Sequence, residues 1–131
     1  MASTATLSTR IPRWLEEELR SVFQRQGEGP SEGLRRIVSE WWACRTFGAI
    51  EFRDALGGRR AALRDGPEIW EIISVQRDYG DDAEALRAHF SWIPAEALGQ
   101  AVEYYRRFGD EVDALIAENE RAEEYLRARG A

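Results

Sequence analysis

Hydroxyl and guanidinium side chains alternate with apolar ones near the start of the chain, at Thr6, Ser8 and Arg10. Residues two apart share one face of a β-strand, so the alternation predicts a strand that presents these three side chains together. All three can form hydrogen bonds with base edges, and a two-stranded ribbon fits the major groove of DNA. The competing interpretation is a solvated chain end without a role.

The predicted strand needs a partner, because a single short strand is not stable in water. The first fifty residues contain no obvious second strand, so the same strand of a second copy is the simplest partner. Two amphipathic helices are predicted next, separated by a turn at Gly27. Their apolar faces are Leu15, Leu19, Val22 and Phe23, after Pro12 at the helix start, and Leu34, Ile37, Val38, Trp41 and Trp42. About forty residues cannot enclose a core alone, so dimerisation is predicted to be required for folding.

Residues 4 to 44 resemble the ribbon-helix-helix family of Arc, MetJ and CopG. The matching segments are Leu7-Ser8-Thr9-Arg10-Ile11-Pro12, Trp14-Leu15-Glu16-Glu17-Glu18-Leu19, Gly27 and Ser31-Glu32-Gly33-Leu34-Arg35. The resemblance implies a dimer whose ribbon enters the major groove with Thr6, Ser8 and Arg10 facing the bases.

The start of the second helix, at Gly29 and Ser31, is the expected phosphate contact, because helix N–H groups bind anions there. Simple helix capping is the alternative role of this turn. Arg13 completes the set of candidate DNA contacts. The family usually has Ser or Thr where Gly29 stands and a large apolar residue where Gly33 stands.

Residues 47–131 are predicted to form a β-hairpin followed by helices. Ala49–Arg53 and Arg59–Arg64 are the expected strands, with a turn at Gly57-Gly58. Helices are expected after Gly66-Pro67 (with Ile69, Ile72 and Ile73), after Asp81-Asp82 (Leu86 and Phe90), from Trp92-Ile93-Pro94 (Leu98, Ala101, Val102 and Tyr105) and from Gly109-Asp110 (Val112, Leu115 and Ile116). The boundary near Thr46 divides the chain into residues 1–46 and 47–131.

Residues 50 to 120 resemble a small bacterial domain of unknown function with a helix-turn-helix-like fold, found in VapB-type antitoxins. The matching segments include Gly57-Gly58-Arg59-Arg60-Ala61, Asp65–Ile72, Leu86–Ile93, Ala101–Tyr105 and Gly109–Ile116. Such antitoxins are often paired with PIN-domain ribonuclease toxins. The resemblances together imply a mostly α chain, with an N-terminal ribbon-helix-helix domain for dimerisation and DNA binding and a C-terminal domain of a small β-hairpin and helices.

Toxin contacts are expected on the hairpin and on the C-terminal helix. Arg59 and Arg60 are candidates for contact with toxin or DNA backbone, although an exposed turn explains them equally well. The helix after Glu118 is mostly charged, so it either binds a toxin groove or is solvated. The remaining candidates are Tyr104, Leu115, Asn119, Ala122 and Leu126.

Other chemistry-bearing residues favour structural roles. The residues Trp41, Trp42, Trp70 and Trp92 have helical apolar spacing, which indicates core or dimer packing rather than base stacking. His89 has no neighbouring nucleophile motif, and the paired acids at Asp81-Asp82 and Asp110-Glu111 fit helix caps better than a metal site. We therefore expect no enzyme activity, catalytic residue, cofactor or metal.

Charge is unevenly distributed along the chain. Residues 1–46 carry seven Arg and six acidic residues, whereas residues 47–131 carry eleven Arg and eighteen acidic residues, within a net charge of −6. The acidic part is expected to avoid DNA or to face a basic protein. The single Cys44 and the lack of a leader or membrane-length apolar run predict a soluble cytoplasmic protein without a membrane partner.

These observations predict the antitoxin of a type II toxin–antitoxin system. It would neutralise a toxin, expected to be a PIN-domain ribonuclease, and repress its own operon by binding operator DNA as a homodimer. Two alternatives stay open: a ribbon-helix-helix repressor without a toxin, and a dimerising scaffold that does not bind DNA.

Overall fold

The computed structural model describes residues 3–130, in which six α-helices and one two-stranded antiparallel sheet form. The elements in chain order are α1 (Arg13–Gln26), α2 (Pro30–Thr46), β1 (Ile50–Ala55), β2 (Gly58–Leu63), α3 (Ile69–Asp78), α4 (Ala83–His89), α5 (Ala95–Arg107) and α6 (Gly109–Gly130). The chain is mostly helical, as predicted. No helix in this range combines the length and apolarity needed to cross a membrane.

Two compact units make up the chain, residues 1–39 and 40–131. The division therefore falls inside α2, whereas the sequence placed a boundary after the helix. The physical reason is that Trp42 and Ala43, in the last turns of α2, pack with Phe47 in the core of the second unit.

The first unit contains α1 and the beginning of α2. Helix α1 starts directly after Pro12 and ends at Gly27, whose φ of 70° is left-handed and favours glycine. Phe23 is buried, and a Cβ on Gly33 would overlap its ring. This contact explains why position 33 carries a glycine instead of a large apolar residue. The Arg36 Nε donates a hydrogen bond of 2.8 Å to Glu28.

The β-hairpin of the second unit matches the predicted position. Strand β1 pairs with β2 from Ile50 opposite Leu63 to Ala55 opposite Gly58. The turn depends on Gly57 and Gly58, because their φ angles of 90° and 125° would strain the backbone of a residue with a side chain.

The helices of the second unit start close to the predicted positions, although α5 begins at Ala95, after the predicted Trp92-Ile93-Pro94. Glu68 and Glu71 form a capping box at the start of α3, and the Asp82 carboxylate accepts the N–H groups of Glu84 and Ala85 at the start of α4. One core joins the helices to the hairpin; its fully buried members include Ile50, Leu63, Ile69, Ile72, Ile73, Tyr104 and Val112.

Of the four tryptophans predicted to pack in a core or a dimer, two pack against the core of the single chain and two are exposed. Trp42 and Trp70 pack against the core, but Trp92 is 67% exposed and contacts the Phe90 ring edge-on. Trp92 lies in the turn between α4 and α5, before the buried face of α5 begins. Trp41 is 62% exposed on α2.

Candidate functional site

The arm that precedes α1, residues 3–12, is exposed along its whole length and forms neither helix nor strand in the single chain. Thr6, Ser8 and Arg10 all lie in this arm. Because the predicted strand pairs with a second copy, its formation stays a prediction. The arm also exposes its apolar side chains, with Leu7 at 98% and Ile11 at 44%.

The other candidate DNA contacts lie at helix starts. Arg13 is the first residue of α1 and is exposed. Gly29 directly precedes α2, and Ser31 is its second residue; both are exposed. Their backbone N–H groups are therefore accessible to an anion at the positive end of the helix dipole.

The helices of the first unit leave large apolar side chains uncovered. Trp14 is 65% exposed on α1, and Leu34 and Val38, one turn apart on α2, are 51% and 57% exposed. Among residues 3–39, Phe23 is the single buried apolar side chain. Exposed apolar side chains in such number are typical of surfaces that another molecule covers.

A groove in the second unit brings together residues that are far apart in sequence. Two adjoining hollows of about 210 Å³ and 390 Å³ share Arg60, Trp70 and Leu115 in their walls. Of the candidate toxin contacts, Arg59, Arg60 and Leu115 line the smaller hollow, and Arg60, Leu115, Asn119 and Ala122 line the larger. The hairpin and α6 thus form one surface, which we call the hairpin–α6 groove.

Both arginines of the groove are already paired. Arg59 donates hydrogen bonds of 2.5 Å to Glu40 and 3.0 Å to Asp54, and its pKa is raised, first by the hydrogen bonds to Glu40. The Arg60 Nε lies 3.5 Å from the Glu68 carboxylate. These pairs compensate the positive charges of the hairpin.

Tyr104 is not a partner contact, which corrects the sequence prediction. Its side chain is 2% exposed, because it forms the centre of an aromatic cluster with Phe47, Phe52 and Phe108. Tyr104 belongs to the buried face of α5, whereas Tyr105 lies half-buried at the surface. The Tyr104 hydroxyl still reaches outward and donates a hydrogen bond to Glu111 in the first turn of α6.

Burial and a neighbouring carboxylate shift the ionisation of this pair. Burial raises the pKa of Tyr104 well above its ordinary value, and the negative charge of Glu111 adds to the effect. Burial of the Glu111 carboxylate raises its own pKa; the Tyr104 hydrogen bond opposes this shift, and Glu40 adds to it. Glu111 also lines the smaller hollow, and the residue as a whole is exposed to solvent.

The end of α6 is exposed throughout residues 120–130. Leu126, a candidate contact, is 67% exposed, one turn beyond Ala122 of the groove, and Tyr125 is 58% exposed. The charged side chains pair along the helix, as in Arg127–Glu123.

The groove residues that the sequence prediction missed include Leu56, Trp70 and Glu111. Leu56, at the hairpin tip, is 101% exposed; its position beside Gly57 in a two-residue turn was the available clue. Trp70 was assigned to packing, yet it lines both hollows and donates a hydrogen bond of 2.8 Å to Glu68. Glu111 was interpreted as a helix cap.

The described residues give no sign of a metal centre, since no group of three or more His, Cys, Asp or Glu is placed to hold an ion. His89 is exposed and lies 3.1 Å from the Tyr79 hydroxyl. Comparison of the chain with family models, with curated proteins and with solved structures found no match.

Proposed function

We propose that this protein is the antitoxin of a type II toxin–antitoxin system and represses its own operon as a homodimer. The observation that carries the proposal is the incomplete burial of the first unit. Its arm and helices expose Leu7, Ile11, Trp14, Leu34 and Val38. Two copies that cover these side chains pair their arms into a ribbon.

The ribbon supplies the DNA-binding element. In a paired strand, Leu7, Thr9 and Ile11 face the helices, while the alternate side chains face outward. Those outward side chains are Thr6, Ser8 and Arg10. An arginine paired with guanine in the major groove is the commonest specific base contact, and the starts of α1 and α2 hold backbone phosphates.

The hairpin–α6 groove is the toxin-binding surface in this proposal. It combines apolar walls, from Leu56, Trp70 and Leu115, with an acidic margin from Glu111 and Glu118. A PIN-domain ribonuclease remains the proposed toxin, on the strength of the sequence resemblance. An acidic surface would compete with RNA for the basic residues of a nuclease.

DNA binding is tested with the segment upstream of the protein's own gene in a gel-shift titration. The wild-type protein should bind it with an affinity that falls steeply as salt rises. Arg10→Ala should weaken binding by about 1–3 kcal/mol per half-site. Arg25→Ala, an exposed change at the far end of α1, is the control and should bind like wild type.

Unchanged operator affinity in Arg10→Ala would contradict the assignment of the strand. The toxin role is tested by co-purification with the product of the adjacent gene and by rescue of growth when both are expressed. The net charge of −6 favours one second candidate, a dimerising scaffold. A scaffold forms dimers but shows no DNA binding at any salt concentration.

A further inference from the structure

Glu111 is the one groove carboxylate whose structural partner is neutral. Its carboxylate accepts a hydrogen bond from the Tyr104 hydroxyl and makes no ion pair within residues 3–130. Glu68, by contrast, faces Arg60 and the Trp70 indole N–H. The negative charge of Glu111 is therefore uncompensated at the smaller hollow.

The neighbouring arginines do not relieve this charge. Arg59 is held by Glu40 and Asp54, and Arg60 by Glu68. The smaller hollow thus presents one carboxylate without an ionic partner, although two arginines line its wall.

We propose that the smaller hollow receives one arginine side chain of the toxin, whose guanidinium pairs with Glu111. Its apolar stem lies along Trp70 and Leu115, and the larger hollow with Leu56 takes the apolar face of the segment that carries it. The inference rests on the proposed function, because it names what the toxin must offer.

Arginine fits this hollow better than lysine for two reasons. Its planar guanidinium binds a carboxylate through two parallel hydrogen bonds and stacks on aromatic rings, and Trp70 supplies such a ring in the wall. A hollow of about 210 Å³ holds one extended side chain, whereas a whole helix, about 10–12 Å wide with its side chains, does not fit.

The charge of the groove disfavours other occupants. A DNA phosphate would meet Glu111 and Glu118 at close range. A second copy of this chain would bring an excess of acidic residues, since residues 47–131 contain eighteen acids and eleven arginines. A basic protein surface is complementary to both hollows.

The first test uses n-butylguanidinium, which carries the guanidinium head and the whole aliphatic stem of arginine. In a nuclear magnetic resonance titration, the wild-type Trp70 indole N–H and Leu115 methyl signals should shift and saturate. Glu111→Gln keeps an oxygen for the Tyr104 hydroxyl but removes the charge, so saturable shifts should disappear. Glu124→Gln, on the opposite face of α6, carries the same charge change and should titrate like wild type. Equal titration of Glu111→Gln and wild type would overturn the proposal.

The second test measures affinity for the protein encoded by the adjacent gene. Glu111→Gln should weaken this complex at least about tenfold, while Glu124→Gln should leave the affinity unchanged. A complex that Glu111→Gln leaves intact overturns the arginine anchor but not the antitoxin function. Absence of any complex with the wild type refutes the toxin partner, while the butylguanidinium titration still decides the chemistry of the hollow. Loss of self-association in Glu111→Gln would assign the arginine to a second copy and overturn the proposal as well.

Discussion

The two units of this chain differ in how much of their apolar surface they bury. Of the sixteen buried apolar side chains among the described residues, fifteen lie in residues 40–131 and one, Phe23, lies in residues 3–39. The second unit encloses a core of its own, around a hairpin and four helices. The first unit exposes the side chains that a core would contain. We therefore propose that the first unit completes its fold in a dimer, as the predicted ribbon requires.

Introducing a charge on the exposed face of α2 should have the largest effect, which is on the stability of the proposed dimer. Val38→Asp replaces a residue that is 57% exposed in the single chain, where a surface change is worth about 0.5 kcal/mol or less. If a second copy covers Val38, an unpaired buried carboxylate should cost about 3–5 kcal/mol and dissociate the dimer. Sedimentation equilibrium measures the difference directly.

Leu56→Asp is the matched control in the second unit, because Leu56 is 101% exposed at the hairpin tip. This variant should leave the dimer intact. Dimers of unchanged strength in Val38→Asp would mean that the exposed face of α2 has another purpose, and the dimer assignment of the first unit would be abandoned.

Two glycine substitutions should change the free energy of unfolding by an intermediate amount, with opposite signs in the two units. A Cβ on Gly33 overlaps the Phe23 ring, so Gly33→Ala should destabilise the first unit by about 1–3 kcal/mol. Gly99, inside α5, has open space around its Cβ position, so Gly99→Ala should stabilise the second unit by about 0.5–1 kcal/mol. Urea unfolding followed by circular dichroism measures both. Stabilisation by Gly33→Ala would show that Phe23 does not pack there.

Local features of the second unit were predictable from sequence because they depend on near neighbours. Gly57-Gly58 fixes the hairpin turn, and Asp82 caps α4, as expected. The alternating arm was equally visible, but its pairing depends on a second chain. Mostly helical content is confirmed, whereas dimerisation and DNA binding remain predictions.

The groove could be predicted only in part. Arg59 and Arg60 on the hairpin and Leu115, Asn119 and Ala122 on α6 were identified separately. Nothing local to Arg60 or Asn119 shows that they line one hollow. Tyr104 was misassigned because the sequence does not show which of the adjacent residues Tyr104 and Tyr105 lies on the buried face of α5. The isolated charge of Glu111 depends on long-range packing, which places Tyr104 and Glu40 near it and pairs the arginines elsewhere.

The smallest expected effect is a change in unfolding temperature caused by Glu111→Gln. It distinguishes a role of Glu111 in binding from a structural role such as that of Asp82, which caps α4. The pKa of Glu111 is raised by burial and by Glu40, with Tyr104, Arg59 and Arg60 as the other polar groups around it. A carboxyl whose folded pKa lies above its unfolded pKa binds its proton more tightly when folded, so stability falls as pH rises between those two values. Glu111→Gln should therefore raise the unfolding temperature slightly at pH 7, and the gain should vanish below about pH 4.

The sign of that shift separates two roles for the same residue. An acidic residue in the first turn of a helix stabilises the helix dipole, and a purely structural Glu111 would make Glu111→Gln less stable at neutral pH. A variant that is more stable yet binds the toxin less tightly would show that the charge is maintained for the complex. Differential scanning calorimetry across pH, with Glu124→Gln as the control, measures the sign. A lower unfolding temperature for Glu111→Gln at pH 7 would show that Glu111 has a structural role at a helix start, as Asp82 has.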